Sequence, residues 1–259
     1  MVFAILSFRI AIMFVLASRY SDKIPIKRLY AKDEDHLAVQ RMIGVTLFNI
    51  LIVVVACFGF KDIQFLWDYL NFYVPTPAAF SASILAILLN CVLYNGNLYY
   101  YMRSGEWQSL LRTEPVQNLK TLLVAPFIEE GVFTVFTYMC FGRLSTYGLA
   151  YFVLITSIFF GLSHIHMKWN EVKAIYRTTD IGILEKVKRF FKEVSVLVVT
   201  TGLFSVYSKV VFLKSLSFWP VFILHSMCNL LGNPKFGFPF ALERHIFGIA
   251  ATVLILYLF

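Results

Sequence analysis

Charge is scarce in this sequence. Of its 259 residues only 15% are Asp, Glu, Lys or Arg, against about 25% in a soluble globular domain. Hydrophobic residues make up 59%, and the mean hydropathy is +0.73. A water-soluble fold is therefore excluded. Acidic residues are rarer than basic ones, 15 against 23, which leaves a net charge of +8. In a soluble chain that excess would point to nucleic acid. Here the basic residues sit between apolar runs, so no nucleic-acid partner is expected. Cysteine is limited to Cys57, Cys91, Cys140 and Cys228, all inside apolar runs and without CxxC spacing. That excludes a disulfide framework and leaves four small packing residues. No internal repeat, low-complexity tract or long linker is present, which argues against a repeat-built transporter. Residues 1–259 read as one integral-membrane domain.

A helix crossing about 30 Å of hydrocarbon needs about 20 largely apolar residues. Eight segments approach that length: Val2 to Ser18, Val39 to Phe60, Ala78 to Met102, Leu119 to Phe141, Ser145 to Ser163, Phe191 to Leu213, Leu216 to Leu231, and a shorter run from Ile246 to Phe259. The expected fold is an all-α polytopic bundle of about eight transmembrane helices, or seven if the last run fails. The first segment is expected to be retained, with a cleavable signal peptide as the alternative. Aromatic Phe65 to Phe72 is expected as an interfacial piece of a connecting loop. The stretch from His164 to Lys192 is expected as an amphipathic surface helix or a solvated loop.

Basic residues test this layout. The alternate loops 19–38, 103–118, 164–192 and 233–245 hold 16 Lys and Arg, whereas the opposite loops hold only Lys61, Arg143 and Lys214. Since Lys and Arg accumulate on the cytoplasmic side, the first set is expected in the cytosol.

Ionised groups at the bilayer centre cost on the order of 3 kcal/mol on insertion scales, so polar residues inside spans are candidates for function. They occur in four places: Glu129 with Glu130, His164 with His166, His225 with Asn229, and Asn90 with Asn95. Adjacent helical residues point about 100° apart, so one glutamate of the pair is expected to reach chemistry while its neighbour is held by a partner. His225 and Asn229 share a helix face, as do Phe160 and His164. Asn90 and Asn95 are explained by hydrogen bonding between helices. Counting about 1.5 Å per residue puts Glu129 about 15 Å and His225 about 10 Å from the cytosolic ends of their spans. All three groups are expected to meet in one cavity open to the cytosol.

A carboxylate beside an imidazole can deprotonate water, and an imidazole with an amide can face a developing oxyanion. The result is a hydrolase needing no Ser or Cys nucleophile. Glu and His are acceptable zinc ligands, but there is no HExxH, and His164 and His166 should diverge on a helix. No cofactor or metal is expected.

EEGVF at 129 to 133, FGLSHIH at 160 to 166 and HSMCNLLG at 225 to 232 resemble, in order and spacing, the three motifs of the type II CAAX prenyl endopeptidases, glutamate-dependent intramembrane proteases. The resemblance implies removal of the C-terminal -aaX tripeptide from prenylated CaaX proteins, in the endoplasmic reticulum membrane and facing the cytosol. It implies that Glu129 and His164 activate water and that His225 and Asn229 stabilise the oxyanion, with Glu130 and Phe160 supporting. One departure is visible: the family pattern EExxxR has an Arg where this chain has Thr134. The partners implied are prenylated proteins and the bilayer, and the oligomeric state is not specified. The alternatives are a proton- or cation-coupled transporter and a related membrane protease acting on non-prenylated peptides.

Overall fold

The computed structural model describes residues 2–20, 33–110, 114–144, 148–168, 176–177, 182–232, 235 and 239–258. Among these there is no strand. Ten helices form the bundle: α1 (Val2–Tyr20), α2 (Asp33–Phe60), α3 (Gln64–Asn71), α4 (Pro77–Leu93), α5 (Asn95–Ser104), α6 (Pro115–Gly142, its last turn reaching Leu144), α7 (Leu149–Ser163), α8 (Ile183–Ser215), α9 (Phe218–Leu231) and α10 (Ala241–Leu258). A 3₁₀ segment, His164–Lys168, extends α7, and another, Glu106–Leu110, follows α5.

By length and composition α2, α6, α8 and α10 are long and apolar enough to cross a membrane, and α4 with α5 adds a fifth crossing if that bent pair is one span. Three shorter apolar helices, Ile5–Ala17, Leu149–Ser163 and Phe218–Leu231, accompany them. The chain is thus an all-α, multi-pass membrane bundle. Large apolar side chains such as Leu47, Phe58, Leu203 and Val253 remain exposed, as expected of a surface that meets lipid rather than water.

α6 is the central element. Its apolar window is 61% buried, whereas those of α2, α8 and α10 are 17 to 28% buried. Around it the abundant phenylalanines form the core. Phe133 lies edge-on between Phe14 of α1 and Phe160 of α7, and Phe136 meets Phe65 of α3.

Elsewhere backbones approach through small residues, as helices do in lipid, where close packing substitutes for a hydrophobic drive. α7 packs on α8 with Gly161 against the Val198 carbonyl and Gly202 opposite the Ser157 carbonyl. α10 lays Gly248 on the Val92 and Leu93 carbonyls of α4.

Three expectations need correction. The run from Ala78 to Met102 is not one straight helix, because it bends by 69° between α4 and α5. Thr76 caps α4 by accepting from the Ala79 N–H at 3.0 Å, with Pro77 in the first turn. At the break, Asn97 donates to the Leu231 carbonyl at 2.8 Å, holding α5 to the end of α9. Phe65 to Phe72 is helical rather than loop. It forms α3, and Phe65 and Tyr69 are buried in the core. The Phe72 carbonyl and the Tyr73 carbonyl accept from the Phe218 N–H and the Trp219 indole, which pins the turn between α8 and α9. The basic stretch before Phe191 is neither a separate surface helix nor a loop where it is described. From Ile183 onward it is the beginning of α8 itself. The remainder, 169–175 and 178–181, and the side chain of His166 lie outside the described residues.

A valine at Gly161 would drive its Cβ to 2.6 Å from the Val198 carbonyl oxygen, a backbone atom that cannot step aside. Gly161→Val is expected to cost about 1–3 kcal/mol and to lower the thermal midpoint in detergent, whereas Gly59→Val, with open space around it, leaves the midpoint in place.

Candidate active site

The site begins with a proline inside a helix. Pro126 has no N–H to donate, and its ring crowds the preceding turn. α6 responds by widening into a π-helical stretch, Lys120–Val124, in which the Ala125 N–H reaches back five residues to the Lys120 carbonyl. In that pattern the Thr121 carbonyl would be matched by the N–H that Pro126 lacks. The Asn229 side chain takes its place, donating from Nδ2 to the Thr121 carbonyl at 2.9 Å. A second π-helical stretch, Gly131–Phe136, follows the two glutamates. Such widened turns often mark functional sites because they change the direction in which side chains project. Gly131 allows this turn to sit against the hydroxyls of Tyr73 and Tyr69. A Cβ there would come within 2.8 and 3.2 Å of them.

Between the two widened turns the glutamates diverge. Glu129 is partly exposed and lines a cavity of about 1820 Å³; His164, His225 and Asn229 line the same cavity. Its Oε2 lies 3.4 Å from His164 Nε2 and 3.8 Å from His225 Nε2, so a single carboxylate oxygen faces two imidazoles. Glu130 points away from the cavity and is buried, with 2% exposure. Its Oε1 accepts from His225 Nδ1 at 2.8 Å, and its Oε2 accepts from the hydroxyls of Thr134 at 2.7 Å and Ser208 at 2.8 Å. The carboxylate therefore joins α6, α8 and α9.

These bonds fix the imidazoles. Because an ionised carboxylate only accepts, His225 Nδ1 carries a proton and Nε2 is the nitrogen turned to Glu129. His164 is held in the same way, its Nδ1 donating to the Phe160 carbonyl at 2.8 Å. The Phe160 ring packs against both imidazoles, at 4.5 Å from His164 and 6.2 Å from His225 between centroids. A neighbouring group that orients a histidine and sets its tautomer is the arrangement general acid–base chemistry requires.

The six residues that the resemblance implies for the site, Glu129, Glu130, Phe160, His164, His225 and Asn229, thus lie in or directly against one site. Asn90 and Asn95 do not join them. Asn90 donates to the Leu224 carbonyl at 2.9 Å, tying α4 to α9, and Asn95 accepts from Arg244 at 3.4 Å. Among the described residues no group of three or more His, Cys, Asp or Glu is arranged to hold a metal ion. Sequence reasoning missed Ser208 and Lys209. Ser208 carries no signal, since a hydroxyl in an apolar helix commonly bonds its own backbone. Lys209 carried one: it is an ionisable residue within a span.

Replacing Glu130 removes the acceptor for three buried donors at once, whereas Glu129 faces a cavity. Glu130→Leu is expected to lose about 3–5 kcal/mol, the scale of breaking a buried ion pair, and Glu129→Gln less than about 1 kcal/mol. Thermal unfolding in detergent, compared for the two variants, checks the contrast.

Residues 112–231, somewhat under half of the chain, match the family model described as "Rce1-like: Type II CAAX prenyl endopeptidase Rce1-like". No curated protein and no solved structure matches the chain. The matched stretch runs from the start of α6 to the end of α9 and contains Glu129, Glu130, Phe160, His164, His225 and Asn229. Over these residues the chain is similar to the Rce1-like family of type II CAAX prenyl endopeptidases.

Proposed function

We propose that this protein is an intramembrane endopeptidase that removes the C-terminal -aaX tripeptide from prenylated CaaX proteins. It would work in the endoplasmic reticulum membrane with its site toward the cytosol, the side on which the basic loops accumulate. The observation that carries the reading is the approach of Glu129 Oε2 to both imidazole Nε2 atoms in a cavity part of whose wall is apolar.

In this reading a water beside Glu129 and His164 loses a proton to that pair as its oxygen attacks the carbonyl carbon of the peptide bond after the prenylated cysteine. Negative charge develops on the carbonyl oxygen. The Nε2–H of a protonated His225, supported by Glu130 behind it, and the second N–H of the Asn229 amide are the donors that meet it. When the C–N bond breaks, the proton held by Glu129 and His164 passes to the leaving amine. The products are a prenylcysteine carboxylate and a free tripeptide.

The cavity suits a substrate that is half lipid. At about 1820 Å³ it exceeds the roughly 300–1,000 Å³ of pockets that take a drug-sized ligand. Near the site its wall includes Arg41, Gln117 and Lys120. A second part of the wall is built by apolar side chains of α8 and α10, among them Leu203, Ile249 and Val253. An isoprenoid chain lies against the second region by burial of apolar surface, while the peptide tail lies along the first.

In reconstituted membranes the wild type is expected to release the intact tripeptide from a farnesylated CaaX peptide and to leave the unprenylated peptide uncut. Glu129→Ala and His164→Ala are each expected to abolish release, and Asn229→Ala to lower kcat by about 10²–10³, the effect of removing one oxyanion donor. Full activity of either of the first two variants, or equal cleavage of the unprenylated peptide, would overturn the assignment.

A further inference from the structure

Among the described residues, Lys209 is a buried charged group of this region that the hydrolytic scheme leaves unused. It is 1% exposed and lies in the last third of α8, next to Ser205 and Ser208. Its ammonium donates to the Ser205 hydroxyl and lies 5.6 Å from the centroid of the Phe160 ring, the same ring that packs on His164 and His225. Ser208, the preceding residue, bonds the Glu130 carboxylate, and the Lys209 and Glu130 charges act on one another. A buried ammonium without compensation would cost several kcal/mol, so its position is explained only by what it compensates.

We propose that Lys209 is a positioning residue of the hydrolytic site, a buried positive charge that holds Glu130 ionised and, through Glu130, keeps His225 oriented toward Glu129. The proposal rests on the hydrolase reading and extends it. The charge count supports it. The groups facing the site are the carboxylates of Glu129 and Glu130 from α6, the imidazoles of His164 from α7 and His225 from α9, and the Lys209 ammonium from α8. The Cys228 thiol and the Tyr73 phenol, also close to Glu130, are uncharged. With both glutamates ionised and one of the two imidazoles carrying a positive charge, Lys209 brings the buried sum to zero. Without it the pocket carries one excess negative charge, which protonation of a carboxylate relieves. Glu129 loses its capacity as a base if it takes that proton, and His225 loses its fixed orientation if Glu130 does. Thr134 and Ser208 supply hydrogen bonds to Glu130 but no charge, so they do not substitute for the ammonium.

The test compares wild type, Lys209→Gln and Lys209→Arg in lipid nanodiscs. Gln retains a donor for Ser205 without the charge, and Arg retains the charge. Removing a positive charge disfavours ionised carboxylates, so the acid limb of kcat/KM for a farnesylated CaaX peptide is expected to move to higher pH in Lys209→Gln. The expected shift is about one pH unit, the low end for losing a nearby opposite charge, while Lys209→Arg keeps the wild-type limb. An unshifted limb in folded Lys209→Gln overturns the proposal. If that variant does not fold, Lys209→Met takes its place with the same expected shift and the same overturning result.

A second readout does not depend on turnover. The infrared band of protonated carboxyl assigned to Glu130 or Glu129, by its loss in Glu130→Gln or Glu129→Gln, should grow in at higher pH in the uncharged variant than in wild type. A band unchanged between them refutes the role of Lys209. Absence of cleavage by the wild type refutes the hydrolase reading instead.

Discussion

The arrangement depends on one buried carboxylate. Glu130 accepts hydrogen bonds from donors on three helices, Thr134 of α6, Ser208 of α8 and His225 of α9, and in a lipid-embedded bundle none of these groups has water as an alternative partner. An unmet buried charge costs several kcal/mol, so the carboxylate fixes how the three helices face each other. Its neighbour Glu129 is thereby turned to the cavity, and His225 presents Nε2 to it. The adjacent glutamates divide the work because a helix cannot point both in one direction.

The same logic governs the rest of the site. Each imidazole is oriented through its Nδ1 by an acceptor behind it, the Glu130 carboxylate for His225 and the Phe160 carbonyl for His164. Asn229 is positioned by a carbonyl that a proline has left without a backbone partner. Rigid placement of this kind lets acid–base and oxyanion groups act without reorganising as charge develops. The cavity joins that polar cluster to apolar walls of α8 and α10, which suits chemistry performed on a peptide whose anchor resides in lipid.

Much of this was legible in the sequence, for physical reasons. Lipid demands long apolar segments, and each of the eight expected runs overlaps a helix or bent helix pair. The bend between α4 and α5 was not read from the sequence: no proline marks it, although Asn95, Gly96 and Asn97 interrupt the apolar run directly after Tyr94. It is made by tertiary contacts, with Gly248 of α10 lying on the carbonyls that precede it. The early start of α8 was hidden by Lys and Arg, which lower hydropathy without opposing a helix. At the site, Glu129, His164, His225 and Asn229 stand out as polar residues in apolar surroundings. Thr134 stands out as the departure from EExxxR, and four residues on from Glu130 it is placed to bond that carboxylate, as its hydroxyl does. Ser208 and Lys209 come from a helix that carries no motif; Lys209 is visible as an ionisable residue within a span, but only the packing of α8 places the two beside the site.

Hydrolysis in water labelled with oxygen-18 tests the central claim most directly. A farnesylated CaaX peptide is turned over by the reconstituted protein, and both the product and a digest of the protein are weighed by mass spectrometry. Direct attack by a water activated at Glu129 predicts one labelled oxygen in the new prenylcysteine carboxylate for each tripeptide released, from the first turnover, and none in Glu129. Label appearing in the Glu129 side chain, as a covalent acyl intermediate would leave it, or intact peptide after prolonged incubation, would contradict the account.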